Sequence, residues 1–482
     1  MGFTPLDYGI LVAYLAATAI FGSLLGRSHR DTRDYFFGGK HMSWWAISLS
    51  IVATETSTLT FIGVPAIAYT GNLAFLQLTF GYLLGKLLVS FILIPGYFRG
   101  DYQTAYELLQ QQFGQSVRRV SALLFQITRT LADGVRLFAT ALVLSVVTRI
   151  SDLWTVVIIG AVTVFYTFFG GMTAVVWTDV IQLAIYLTGA VLALFVVLDR
   201  IPGGWQEAMA VAGEHDKLGL LNFNLDFSEP YTFLAGLVGG AFLTFSTHGT
   251  DQLMVQRYLA CGDRWKSQAA LIASGVIIIL QMALFLVIGV LLFVFYRHFP
   301  DRVDLSHIDR VFPTFIVQEM PAGVSGLIIA AIFAAAMSTL SGSLNSLASS
   351  AVNDFYRPLR PDAGETHYLR VSRWVTLGWG VLLVLVSMLA RSWGEVLEVG
   401  LTIQSFTMGS VLGIFLLGTF RRRVSQPAGL IGMAVGMAAM LVVGSLEAVA
   451  WTWYALIGSA ATVAAGLAAG RLWDGQGGPS KG

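Results

Sequence analysis

The sequence predicts an all-α integral membrane protein. About 13 transmembrane helices are expected, arranged as a five-plus-five inverted-repeat core with broken helices, N-terminus outside and C-terminus inside. Three observations carry that expectation. Of 482 residues, 56% are hydrophobic and only 12% are charged, against roughly 25% charged in an ordinary soluble domain. The apolar residues run in stretches longer than the roughly 18 that mark a spanning helix. Two of those stretches are interrupted by polar clusters, and polar groups at membrane depth are expensive and mark function.

Composition also excludes. Disorder needs low hydrophobicity and high net charge, and this chain has neither. A net charge of +1 leaves no basic footprint for nucleic acid. Cys261 is the single cysteine, so no intramolecular disulfide forms. Residues 1–9 hold no basic side chain, so a signal peptide's charged n-region is missing ahead of the first apolar run. Arg27-Ser28-His29-Arg30 follows that run in place of a small-residue cleavage site. Leu6 stands where myristoylation wants Ser or Thr. The first run is expected to be a retained helix.

The expected span cores are 6–26, 42–70, 73–98, 117–148, 153–169, 174–198, 231–252, 267–296, 322–351, 370–390, 395–418, 428–445 and 449–470. Loop cations set orientation. With the N-terminus outside, 19 of the 29 Lys and Arg fall inside and 7 outside. Lys86, Arg129 and Arg136 remain at membrane depth. The domain layout follows. Residues 1–30 form a peripheral helix, 42–198 a first repeat of five helices, and 199–230 an extracellular loop. Residues 231–418 form the second repeat, 428–470 two peripheral helices, and 471–482 a Gly-rich cytoplasmic tail. The chain is expected to be a multi-pass protein of the cell (inner) membrane.

The second span is broken by Thr54-Glu55-Thr56-Ser57-Thr58, with Thr60, Gly63 and Pro65 beyond. Ser and Thr compete for backbone hydrogen bonds and Pro removes a donor, so this helix is expected to unwind near its middle. The seventh span carries a second break, Thr244 with Ser246-Thr247-His248-Gly249-Thr250-Asp251-Gln252. Span 2 enters from inside and span 7 from outside. Broken helices at matching places in oppositely oriented halves point to an inverted-repeat transporter. The ninth span concentrates hydroxyls in Ala335-Ala336-Met337-Ser338-Thr339-Leu340-Ser341-Gly342-Ser343. Neutral oxygens beside freed carbonyls suit a small hard cation. Small residues also mark plain helix packing, and both readings stand together. Asp179 in the sixth span either lines a cation path or sits hydrated at the inner interface. In span 4, Arg129, Asp133 and Arg136 are spaced for pairing along one helix. Asp133 either satisfies one arginine structurally or leaves the other, Arg136 lying deeper, to face an anionic solute. Lys86 either pairs with Glu55 or snorkels.

Several stretches together resemble the sodium:solute symporter family, which has a leucine-transporter-like fold. They are Tyr35-Phe36-Phe37-Gly38-Gly39-Lys40, Ala53 through Pro65, Thr104-Ala105-Tyr106-Glu107, Gly170-Gly171 through Gln182, Thr250-Asp251-Gln252 through Gln256-Arg257-Tyr258, and Ala335 through Ser341. The resemblance covers about residues 35 to 420. It implies a sodium held by the backbone carbonyls of Ala53, Thr56 and Ala335 and the hydroxyls of Ser338 and Thr339. It further implies, for some members, a second sodium at Asp179, Ser338 and Ser341. Gly342 departs from that pattern, where such members offer another hydroxyl. The solute is expected against Ser57, Thr60, Arg136, Thr247 and His248.

The expected function is sodium-coupled secondary active symport, importing a small organic solute by alternating access, with a lean to a carboxylate-bearing solute. The alternatives are a transport-like membrane solute sensor and a symporter for a neutral solute such as a sugar. Expected partners are the solute, Na⁺ and the lipid bilayer. Channel signatures such as charged rings are missing. No metal-ligand motif suggests an enzyme, and ATP is not expected. Gly81-x-x-x-Gly85-Lys86-Leu87 is one spacer short of a P-loop and lacks its Ser or Thr.

Overall fold

Apolar runs of this length satisfy their backbone only by closing hydrogen bonds within helices. The computed structural model of the chain describes residues 3–25, 29–302, 308–390, 396–420, 424–446 and 448–474, and no strand occurs among them. The expected Gly-rich tail beyond 474, Arg391 and the Arg421 to Arg423 cluster lie outside those residues.

The main helices in chain order are α1 (Pro5–Leu25), α2 (Trp44–Glu55), α3 (Thr58–Thr70), α4 (Leu76–Leu88), α5 (Gln115–Thr148), α6 (Asp152–Arg200) and α7 (Gly240–Gly249). They continue with α8 (Gln252–Ala260), α9 (Arg264–His298), α10 (Val324–Ser350), α11 (Glu365–Ala390), α12 (Val396–Phe420), α13 (Gln426–Leu446) and α14 (Tyr454–Asp474). Among the described residues, 8 helices are long and apolar enough to cross a membrane, or 9 with α2 and α3 counted as one bent span.

Three features differ from a plain row of spans. The helices expected over 153–169 and 174–198 follow one another with no loop, labelled together as α6, and are separated only by a kink at non-helical Gly171 (φ 50, ψ −149). The segment 199–230 carries a helix of its own, Gly204–Glu214, packed on α9 through buried Ala208 and Ala212. Past that helix, Lys217 donates to the carbonyls of Tyr69, Thr70 and Gly71 at 2.7, 3.1 and 2.8 Å. It therefore caps the end of α3, where backbone acceptors have no partner in the helix. Finally, Arg118 and Arg257, placed in inner loops by sequence, are buried. Arg118 binds Asp354 at 2.7 Å and Glu107 at 3.0 Å.

The helix at the centre is α10. Every residue from 328 to 350 is buried. Its run of Ala, Ser and Gly lets neighbouring backbones approach closely, and α6 lies along it. Of its hydroxyls, Ser338 and Thr339 reach across to α6 and α2, while Ser341 and Ser346 bond back to their own helix.

The turn at Gly171 needs glycine twice over. Its φ is positive, and a Cβ there would lie 2.4 Å from the Tyr35 carbonyl oxygen. Gly171→Ala is expected to cost about 1–3 kcal/mol and to lower the melting temperature in detergent. Gly378→Ala, where a Cβ meets nothing within 4 Å, is the control expected to stay within about 0.5 kcal/mol of wild type.

Candidate functional site

The site begins where α2 stops. Thr56 (φ −90, ψ 97) and Ser57 (φ −87, ψ 170) are extended, and the chain re-enters helix at Thr58 after a 64° bend. Local hydroxyls compete with the helix here, and the last carbonyls of α2 lose their partners. Side chains from three other helices gather at this end, and the Val52 carbonyl keeps its partner in Thr56 N at 3.0 Å. Thr339 Oγ1 lies 3.2 Å from the Thr54 carbonyl and 3.3 Å from that of Ala335. Tyr186 OH donates to the Val52 carbonyl at 3.5 Å. Gln281 Nε2 donates to Thr56 Oγ1 at 2.6 Å. In the other direction, Thr58 Oγ1 donates to the Ile332 carbonyl at 3.1 Å. The break is thus braced by α6, α9 and α10.

Among the five groups expected around the first sodium, Thr339 and Ala335 meet directly beside the break that carries Ala53 and Thr56. All five residues are buried. Ser338 turns toward α6 and donates to Asp179 Oδ1 at 2.6 Å. Asp179 is 0% exposed, so the reading of a hydrated interfacial carboxylate is overturned. Its Oδ2 accepts from Ser50 at 2.5 Å, Arg257 at 3.1 Å and Thr54 at 3.3 Å. Ser341 stays apart from this carboxylate, since its hydroxyl donates to the Ser338 carbonyl at 3.0 Å.

The second break separates α7 from α8 at Thr250 and Asp251. Asp251 caps α8 by accepting from Leu253 N at 2.9 Å and forms an ion pair with Arg129 of α5. Tyr97 OH donates to the Gly249 carbonyl at 2.5 Å. The two breaks face each other. Glu55, ending α2, accepts from Lys86 Nζ at 2.6 Å, and His248 Nε2 of α7 lies 3.4 Å from the same oxygen. Lys86 therefore pairs and does not snorkel.

Between the breaks lies a cavity of ≈ 400 Å³. Its walls include all five residues expected to meet solute: Ser57, Thr60, Arg136, Thr247 and His248. It extends from the first break to Thr70, Phe75, Tyr231 and Trp451. Asp133 Oδ1 lies 3.4 Å from Arg129 NH1 and 3.3 Å from Arg136 NH1. Asp133 thus pairs with both arginines along the helix and not with one alone. Arg129 is locked a second time by Asp251, whereas Arg136 is the more open side chain, 25% exposed against 5%. A smaller cavity of ≈ 20 Å³, room for one water, joins Asp133 and Arg136 to Ala336 and Thr339.

Gln281, Tyr186 and the burial of Arg257 escape a reading of the sequence. Gln281 left a signal, a lone amide inside an apolar span. Arg257 sits in a motif noted above but close enough to charged Asp263, Arg264 and Lys266 to read as loop. Tyr186 left none, because a tyrosine in an apolar helix looks like packing.

The Lys86 and Glu55 pair yields a test. Removing one partner of a buried pair leaves the other charge uncompensated, which costs about 3–5 kcal/mol. Lys86→Ala is expected to lower the melting temperature sharply. Adding Glu55→Gln to it is expected to recover much of the loss, and a purely steric role for Lys86 predicts no such recovery.

Comparison with known proteins bears on this geometry. A model of the sodium:solute symporter family matches residues 35–436. The human sodium/iodide cotransporter is 32% identical over 455 residues, which is 90% of this chain and 69% of that protein. The sodium/sialic acid symporter NanT of Aliivibrio fischeri is 30% identical over 468 residues, 96% of this chain and 92% of that protein. A solved substrate-bound, outward-open structure of a Na⁺-coupled sialic acid symporter superposes with a TM-score of 0.91 at 29% identity, covering 98% of each chain. With a match over most of its length and the long apolar helices described above, this multi-pass membrane protein belongs to the sodium:solute symporter family.

Proposed function

We propose that this sodium symporter imports a small organic anion bearing a carboxylate, by alternating access, across the cell (inner) membrane. The observation that carries the reading is the cavity that touches both helix breaks and has Arg136 in its wall. A volume of ≈ 400 Å³ falls in the range of organic-ligand pockets, about 300–1,000 Å³. That exceeds the need of a bare inorganic ion. A guanidinium fork matches a carboxylate in two places. The cargoes named for two relatives, iodide and sialic acid, are an anion and an acid.

The sodium is assigned to the carbonyls of Ala53, Thr56 and Ala335 with the hydroxyls of Ser338 and Thr339. The reading is supported by the Thr339 hydroxyl, which lies within hydrogen-bond distance of carbonyls on both α2 and α10. A cation drawn into that seam replaces hydroxyl protons as the partner of those carbonyls and ties the break to α10. Ordering the break also orders Ser57 and Thr60 on the cavity wall. Sodium thereby raises solute affinity, and linkage requires solute to raise sodium affinity equally. The water-sized cavity between Arg136 and Thr339 gives the two sites a short polar connection.

The proposed topology has thirteen crossings with the N-terminus outside and the C-terminus inside. It counts α6 twice about Gly171 and adds α5, α7 with α8, and α12 to the nine apolar spans. Residues 42–198 and 231–418 then form the inverted repeats, with a broken helix leading each. In this orientation the cavity mouth at Thr70, Tyr231 and Trp451 faces outward, and the Arg118 ion pairs lie toward the inside.

The experiment is solute uptake into proteoliposomes under an imposed inward Na⁺ gradient, screened over monocarboxylates, sialic acids, amino acids and sugars. One carboxylate is expected to accumulate only with sodium. Ser338→Ala and Thr339→Ala are expected to cut that uptake at least tenfold. Arg136→Ala is expected to raise KM for the anion by about 10 to 100-fold, the loss of a charged hydrogen bond of roughly 1.5–3 kcal/mol. Sodium-driven uptake of a neutral sugar that ignores Arg136→Ala would replace the anion reading. Solute binding without any uptake would favour a sensor.

A further inference from the structure

Next to the proposed sodium seam lies a second oxygen-rich cluster, built from Asp179, Ser50, Thr54 and Ser338. Such a donor set suits a hard cation. Its negative charge is already engaged. The Arg257 guanidinium reaches Asp179 Oδ2 at 3.1 Å, Thr54 Oγ1 at 2.5 Å and Ser50 Oγ at 3.0 Å, and is held from behind by the Leu253 carbonyl at 2.8 Å. The Arg257 side chain is 1% exposed and that of Asp179 0%.

Room for the guanidinium comes from Gly342. A Cβ at that position would lie 2.7 Å from Arg257 NH2 and 3.2 Å from NH1. A side chain at 342 and the guanidinium therefore compete for one volume. The neighbouring hydroxyl of Ser341 is turned away onto a backbone carbonyl. One oxygen ligand is missing, one is turned away, and a fixed cation stands in their place.

We infer that Arg257 is the resident cation of the Asp179 pocket, so that this symporter binds one Na⁺ per cycle, at the α2 and α10 seam, and none at Asp179. The inference rests on the sodium-symport reading above. Charge balance supports it. Among the described residues around the breaks, Glu55, Asp133 and Asp251 face Lys86, Arg129 and Arg136, three of each sign. Asp179 and Arg257 add one more of each. One Na⁺ entering with a monocarboxylate preserves neutrality in this buried region. A second Na⁺ at Asp179 would have to displace the guanidinium from the carboxylate or sit against its positive charge.

The test is equilibrium binding of ²²Na⁺ to the purified full-length protein in detergent, counted per folded chain, with no solute required. Wild type is expected to saturate at one Na⁺ per chain. Thr339→Ala is expected to abolish that binding. Arg257→Gln combined with Gly342→Ser, which removes the fixed cation and adds an oxygen, is expected to saturate at two, with folding checked by its melting temperature. Two Na⁺ bound to wild type overturns the inference and leaves symport standing. A single Na⁺ that survives Thr339→Ala also overturns it, because Asp179 is then the holder. A folded double variant that still binds one overturns it as well. No Na⁺ bound to wild type removes the symport reading and this inference together. If the double variant fails to fold, wild type and Thr339→Ala decide alone.

Discussion

A helix that stops in the middle of an apolar protein leaves carbonyls with no partner, and the interior offers no water to satisfy them. That constraint organises the molecule. At the end of α2, Thr339 of α10 meets the Thr54 carbonyl, Gln281 of α9 meets the Thr56 hydroxyl, and Tyr186 of α6 adds a donor to the Val52 carbonyl. Those three helices are therefore fixed around one point. The burial of α10 along its whole length and its Ala, Ser and Gly composition follow, since bulkier residues would hold the neighbours apart.

Charge obeys a parallel rule. Isolated charges do not survive in such an interior, and those around the breaks occur in joined sets. Lys86 holds Glu55 beside His248, while Arg129 holds Asp133 and Asp251. Each set ties different elements together. Arg129 crosses from α5 to the α7–α8 break, and Lys86 crosses from α4 to the end of α2. Such pairs contribute little net stability, because desolvation offsets attraction. Their geometric demand is strict, and it fixes which surfaces face the cavity.

The ends of the cavity are treated differently. Toward Thr70 and Trp451 its walls are largely neutral, and the end of α3 is held by Lys217 donating to three carbonyls. At the other side of the molecule Arg118 gathers Glu107, Gln110, Asn353 and Asp354 into one network. A cluster so dense in charge-assisted bonds opens only when many contacts break together.

The helical architecture and both breaks were legible in the sequence because they depend on one-dimensional quantities: the length of apolar runs and the clustering of hydroxyl, Gly and Pro residues within them. The cavity-lining set of Ser57, Thr60, Arg136, Thr247 and His248 was legible for a related reason, since polar residues at membrane depth are rare enough to stand out. The pairings were not. Spacing along α5 allowed Asp133 to serve either arginine, and only the approach of Asp251 from a distant break separates the roles of Arg129 and Arg136. Arg257 looked like a loop cation because its sequence neighbours are charged, while its guanidinium is buried against Asp179 and Gly342. The sequence by itself determined where polar groups interrupt apolar helices. Tertiary structure alone decided which of those groups neutralise one another, because burial and most of the ion pairs join different helices, with partners from 31 to 236 positions apart.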